Sequence, residues 1–167
     1  MSAETSHLNA GATAMSIGTT RYILADSLGH LATQFSKAVL RRINQELQAG
    51  GWPITSEQWT ALVRIWTEDG LTQQALGEQL QKDKTNVARL VAGLEALGYI
   101  TRRPGQADRR EKTIHLAEAG REAMPGVVAL VQGVLDQACA GIDGHELTLC
   151  KRVLQRARLN LLTPPKG

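Results

Sequence analysis

The sequence is poor in aromatic residues, which make up 4% of its 167 positions, and it has only two cysteines. Cys139 and Cys150 form no CxxC pair and no disulfide framework, so a reducing cytoplasm is the expected setting. No run of about 18 uninterrupted apolar residues occurs, which excludes a membrane-spanning helix. Residues 1–20 lack a positive start and an apolar core region, so they do not read as a signal peptide. Their Ala, Gly, Ser and Thr content reads instead as a flexible tail. Internal repeats, a Gly-rich phosphate loop, a nucleophile elbow, an HExxH motif and a convincing carboxylate pair are all missing, so neither an enzyme nor a cofactor is expected. Cys139, His145 and Cys150 offer zinc-type ligand atoms but no paired spacing, so no metal is expected either.

Charge is present, and it is local. The chain carries a formal +3. From Lys82 to Lys112 eight basic residues face four acidic ones, a net +4 that leaves the rest of the chain at −1. A concentrated surplus of this kind is the footprint of an anionic partner. Within it lies TRRPGQADRREKTIHL, Thr101 to Leu116, a turn-rich stretch with five arginines and lysines.

The length suits one domain. Leu24, Leu28, Leu31, Phe35, Val39, Ile43 and Leu47 recur at steps of three or four, predicting one helix from Arg21 to Gln48, ended by Gly50-Gly51. At 1.5 Å per residue it would span about 42 Å, more than a small core needs, so part of its stripe is expected to meet another chain. Thr55-Ser-Glu-Gln58 has capping-box spacing and opens a second helix. A third starts near Thr72, and Asp83 caps a fourth with apolar positions Val87, Leu90, Val91, Leu94 and Leu97. Tyr99–Arg103 and Lys112–Leu116 read as strands around the tip Pro104–Asp108. Two helices follow, Glu118–Ala138 and Asp143–Leu162, with Pro125-Gly126 expected to bend or delay the first. The fold class is therefore mainly α with a small β-hairpin wing: a winged helix-turn-helix over 55–116, flanked by helices over 21–49 and 118–162. Together, residues 21–167 form a single domain.

Lys84, Thr85, Asn86 and Arg89 occupy the first turns of the fourth helix, while Val87, Leu90 and Val91 point away from them. Asn and Arg side chains suit base edges in the major groove, and Lys84 and Thr85 suit phosphate. A narrow minor groove favours an inserted arginine. In the wing, Asp108 and Arg110 are two apart, so an extended tip places both on one side, where the carboxylate can orient the guanidinium. Arg109 falls opposite, suited to phosphate or solvent. Arg102 and Arg103 sit at the strand base, near the DNA backbone.

The stretch from Leu71 to Gly120 resembles the MarR (multiple antibiotic resistance regulator) family of dimeric winged-helix transcription regulators. The motifs that carry the likeness are Leu71-Thr72, Asp83-Lys-Thr-Asn-Val, Leu94-Glu95 through Leu97-Gly98-Tyr99-Ile100, Arg102, and Asp108-Arg-Arg110 with Ile114, Leu116 and Gly120. The resemblance implies a cytoplasmic homodimer whose first and last two helices interlock and present two recognition helices to a pseudo-palindromic site on double-stranded DNA. It also implies that Arg110 is the minor-groove arginine and Asp108 its orienting acid. One departure is Ala117, where the family carries threonine, so the next helix lacks a hydroxyl cap.

Such regulators commonly bind a small aromatic or phenolic acid between the dimer helices and the DNA-binding lobe, and a repressor released by such an effector is the expected function. Trp52, Trp59 and Trp66 are seven apart, and Trp59 and Trp66 share a helix face, as pocket lining or as core packing. His30 could pair with an acidic ligand. The rival switch is oxidation of Cys139 or Cys150. Peroxide sensors of the family carry a reactive cysteine near the start of the first helix, and this chain has none there. Cys150 falls on an apolar stripe and is expected to be buried. It lies about 7 Å beyond the position facing Cys139, awkward for a bridge within one chain. A winged-helix adaptor for a protein partner is the remaining alternative.

Overall fold

The structure, a computed structural model, describes residues 14–17, 20–105 and 111–162. Two short strands come first, β1 (Ala14–Ile17) and β2 (Thr20–Ile23), paired antiparallel with Met15 opposite Tyr22. A single 3-10 turn over Leu24–Asp26 leads to α1 (Leu28–Ala49). The first long helix therefore starts seven residues later than Arg21, and part of the expected tail pairs as strand. Ser27 is the cause: its hydroxyl accepts the His30 backbone N–H at 3.3 Å and starts the helix.

The central lobe follows its local signals closely. Thr55 caps α2 (Ser56–Thr67) through a complete capping box with Gln58. The Thr72 hydroxyl accepts from Ala75 N–H at the start of α3 (Gln73–Leu80). Asp83 caps α4 (Lys84–Ala96). Between α3 and α4 the turn places Gln81 in the left-handed region at φ 53°, unusual for a residue with a Cβ. The hairpin is β4 (Ile100–Pro104) and β5 (Lys112–Leu116), with Ile100 opposite Leu116 and Arg103 opposite Thr113. A two-residue strand, β3 (Leu71–Thr72), pairs on the other edge of β5 and makes a three-stranded antiparallel sheet.

Two helices close the chain, α5 (Glu118–Ala138) and α6 (Gly144–Leu162). Ala117 gives α5 no side-chain cap, yet the helix begins on schedule. Its backbone N–H is taken by the Tyr99 carbonyl at 3.0 Å, and the Arg121 guanidinium donates to the Leu116 carbonyl at 3.2 Å. Nor does Pro125 delay or divide the helix, which runs through it. Packing of Met124 and Val127 into the core holds the segment despite the lost N–H.

The core joins Leu62 and Ile65 of α2, Leu76 of α3, Val87, Val91 and Leu94 of α4, and Ile100 and Ile114 of the sheet. Ile43 and Leu47 from the end of α1 and Val127 from α5 complete it. The first half of α1 and all of α6 take no part. Leu28, Leu31 and Phe35 are exposed, and α6 contributes no buried residue. No described helix is long and apolar enough to cross a membrane.

Candidate nucleic-acid interface

The helix-turn-helix is braced from behind. Lys82, in the turn before α4, donates to the Glu57 carboxylate at 2.8 Å and ties the turn to the first turn of α2. The bond from Lys82 holds the Glu57 carboxyl below its ordinary value against the opposing effect of burial, and the Lys82 and Arg89 charges add to it. On α4, Val87, Leu90, Val91 and Leu94 are buried while Lys84, Thr85 and Arg89 are exposed. The sequence therefore resolves into one packed face and one polar face, as expected.

Asn86 differs from its neighbours. Its backbone N–H donates to Asp83 Oδ1 at 2.9 Å, and its side-chain amide donates to Asp83 Oδ2 at 2.6 Å. Its own Oδ1 accepts from the Arg89 guanidinium at 3.4 Å. The bonds from Asn86 hold the Asp83 carboxyl below its usual range. Asp83, Asn86 and Arg89 thus form a chain along the helix, and Arg89 is its free end.

The wing is braced to α4 in the same manner. Arg102 grips Glu95 through two bonds, Nε to Oε1 at 3.1 Å and Nη2 to Oε2. The Arg102 bonds lower the Glu95 carboxyl, and the Glu95 bond raises Arg102. Arg103 is exposed, and its carbonyl accepts from the Thr113 hydroxyl at 3.3 Å. A bond from Gly105 N–H to the Glu111 carbonyl at 2.7 Å closes the ladder below the tip. Asp108, Arg109 and Arg110 lie outside the described residues.

Sequence reasoning missed a second anchor of the wing. Asp69, in the loop between α2 and β3, accepts from His115 Nδ1 at 2.8 Å and from the Leu116 backbone N–H at 2.9 Å. The signal available was an outward pair on β5, Thr113 and His115, two residues apart.

The two tryptophans come together. Trp59 and Trp66 line a pocket of about 330 Å³ with Val63, Met124, Pro125 and Val128, between α2 and α5. No charged side chain is in that lining. His30 is not part of it; its ring sits 3.4 Å from Gln34 on α1. Trp52 packs on Gly126, where an added Cβ would lie 2.6 Å from the indole. Cys139 is half-buried and Cys150 exposed, both as free thiols. The expectation that Cys150 is buried is therefore corrected: it is exposed, and α6 has no buried residue against the described part of the chain. Among the described residues no group of His, Cys, Asp and Glu could hold a metal ion.

Residues 54–112 match the sequence model of the MarR family. The chain is similar to the HTH-type transcriptional regulator YybA of Bacillus subtilis, 28% identical over 108 residues that cover 65% of this chain and 72% of that one. Among solved structures it is similar to the transcriptional regulator SlyA, with a TM-score of 0.74 and 25% identity over 81% of this chain and 94% of that one. The transcriptional regulator PA3341 gives a TM-score of 0.71 and 29% identity, covering 81% and 98%.

Proposed function

We propose that the chain, whose residues 54–112 match the MarR family model, is a DNA-binding transcription regulator of that family and acts as a homodimeric repressor on a pseudo-palindromic operator. One observation carries the DNA-reading surface. The Asp83-capped helix buries Val87, Leu90, Val91 and Leu94, and exposes Lys84, Thr85 and Arg89 beside a basic hairpin that Arg102 ties to it. In this reading Arg89 reaches base edges in the major groove, Asn86 steadies it, and Lys84, Thr85 and Arg103 meet phosphate. Arg110, with Asp108 beside it and Arg109 on the flanking backbone, probes the minor groove.

The second copy covers the apolar residues that α1 and α6 leave exposed, and it sets the two recognition helices about one helical turn of DNA apart, roughly 34 Å. An aromatic effector enters the pocket lined by Trp59 and Trp66. The absence of a charged group in that lining favours a flat, largely uncharged ligand over a bare acid. Filling the pocket shifts α2 against α5 and favours a dimer whose helices no longer match the groove spacing.

The test selects genomic DNA fragments with the purified protein, then titrates the best fragment at two salt concentrations beside Arg110→Ala. The expected result is a pseudo-palindrome, a steep salt slope, and a loss of about 1–3 kcal/mol in the variant. Weak, sequence-blind binding that ignores Arg110 would sink the reading.

A further inference from the structure

The outward face of α4 carries a single long side chain. Thr85, Arg89, Ala92 and Ala96 follow one another at steps of four, three and four residues, so they share one face. All four are exposed, and they lie opposite buried Val87, Leu90, Val91 and Leu94. Glu95, beside that face, is already gripped by Arg102. Beyond its first turn, the helix therefore offers a groove one guanidinium and the methyl groups of two alanines.

Asn86 lies off this stripe and is half-buried. Its amide is engaged at both ends: the NH2 donates to Asp83 Oδ2 at 2.6 Å, and Oδ1 accepts from Arg89 Nη2 at 3.4 Å. That orientation is forced, since a carboxylate can only accept and a guanidinium can only donate. An asparagine reads adenine by turning its donor and acceptor together onto one base edge. Here the two ends serve different neighbours on the same helix. Asp83 is fixed in turn as the helix cap, where it accepts the Asn86 backbone N–H at 2.9 Å. The Arg89 guanidinium keeps donors to spare after its bond to Asn86. Its charge also reaches Glu57, which Lys82 holds at 2.8 Å. The head group is thus drawn toward the start of α4, and Ala92 and Ala96 stay uncovered.

We infer that α4 selects a half-site by one guanine, taken at O6 and N7 by the Arg89 fork, with a nearby thymine whose methyl group packs on Ala92. Asp83 and Asn86 are positioning residues that aim Arg89, not readers of adenine. The inference rests on the reading of α4 as the helix that enters the major groove, and it adds which bases that helix selects. Arg89 and Ala92 are three residues apart, about 4.5 Å along the axis. One base step is about 3.4 Å, so the guanine and the thymine are neighbours or next neighbours. The fork supplies most of the discrimination and the methyl contact a smaller share.

The test uses the full chain and the fragment selected from genomic DNA. Each base pair of one half-site is replaced in turn, and each thymine in turn by deoxyuridine, which removes only the major-groove methyl. Wild type, Arg89→Ala, Asn86→Ala and Asp83→Ser are compared, with circular dichroism to check folding. Asp83→Ser keeps a capping hydroxyl but loses the second oxygen that holds the Asn86 amide. Wild type should lose at least about tenfold when one guanine is replaced, and about fourfold when one nearby methyl is removed. Arg89→Ala should bind the selected fragment at least about tenfold more weakly, and should lose nothing more when that guanine is replaced. Asn86→Ala and Asp83→Ser should prefer the guanine several-fold less and keep every adenine preference of the wild type. An Arg89→Ala loss equal on all fragments would make the contact one to phosphate and overturn the inference. So would an adenine preference that vanishes in Asn86→Ala, or a half-site in which no thymine methyl matters. Sequence-blind binding by the wild type would end the reading of α4 itself, and the inference would fall with it.

Discussion

Arg102 at the base of the wing grips Glu95 in the last turn of α4 through two bonds, Nε to Oε1 at 3.1 Å and Nη2 to Oε2. Both side chains are about a third exposed, so the pair contributes only about 0–1 kcal/mol to stability. Its consequence is orientation. Glu95→Gln and Arg102→Gln should weaken binding to the selected DNA alike, and the double variant should lose no more than either, as a double-mutant cycle would read. An Arg102 that met phosphate instead would reveal itself differently. Arg102→Gln alone would then lower the salt slope by about one.

Gly120 marks where α5 is pressed onto the hairpin. A Cβ there would lie 2.2 Å from the Tyr99 carbonyl oxygen and 3.0 Å from the Leu116 side chain. That carbonyl cannot swing aside, because it accepts the Ala117 backbone N–H at 3.0 Å. Gly120→Ala should therefore destabilise the protein by about 1–3 kcal/mol, seen as a lower urea midpoint with little change in slope. An unchanged midpoint would mean that the helix and strand can separate at no cost.

The lobe was legible because its instructions are local. Thr55, Thr72 and Asp83 each accept a backbone N–H three residues ahead, and that spacing is written in the chain. The alternation of buried Ile114 and Leu116 with the half-buried Thr113 and His115 likewise announces a strand. What was hidden depends on contacts between distant segments. Asp69 and His115 are 46 residues apart, and nothing in either neighbourhood names the other. The two-residue strand at Leu71 exists only because β5 offers an edge. Cys150 and Leu28 share the opposite lesson: each sits on a stripe that periodicity reads as buried, and a single protomer has no surface to bury it. Leu24, before the first long helix, looked helical for the same reason, since the stripe continues past the Ser27 cap.

Acid should loosen these braces in a definite order of sign. The Glu57, Asp69 and Glu95 carboxyls are all held below their ordinary values in the folded chain. Groups of this kind contribute stability that is present above their unfolded values, near pH 4, and is lost as pH falls through the lower folded ones. Urea midpoints should thus be steady through the neutral range and drop below about pH 4. Asp69→Asn, less stable than wild type at neutral pH, should lose less on acidification. Parallel acid curves for the two proteins would show that the Asp69 carboxylate is not coupled to folding.

The uncovered apolar surface yields the last prediction. Leu28, Leu31 and Phe35 on α1 and Leu149, Val153 and Leu154 on α6 are all exposed, and no residue of α6 is buried against the described part of the chain. A helix of 19 residues with no buried side chain is not stable alone in water, because its packing energy is missing. In the proposed homodimer a second copy would supply that energy by closing the same surface on itself, as a two-fold interface does. Phe35→Asp and Val153→Asp each place a carboxylate where that surface should close, and burying an unpaired charge is costly. Each variant should sediment as a monomer at concentrations where the wild type is a dimer. Affinity for the full pseudo-palindrome should collapse with it, because one recognition helix then binds one half-site without the other. Weak binding to an isolated half-site should survive, since α4 and the wing are built within one protomer. A variant that still sediments as a dimer would move the interface elsewhere and leave α6 without an explanation.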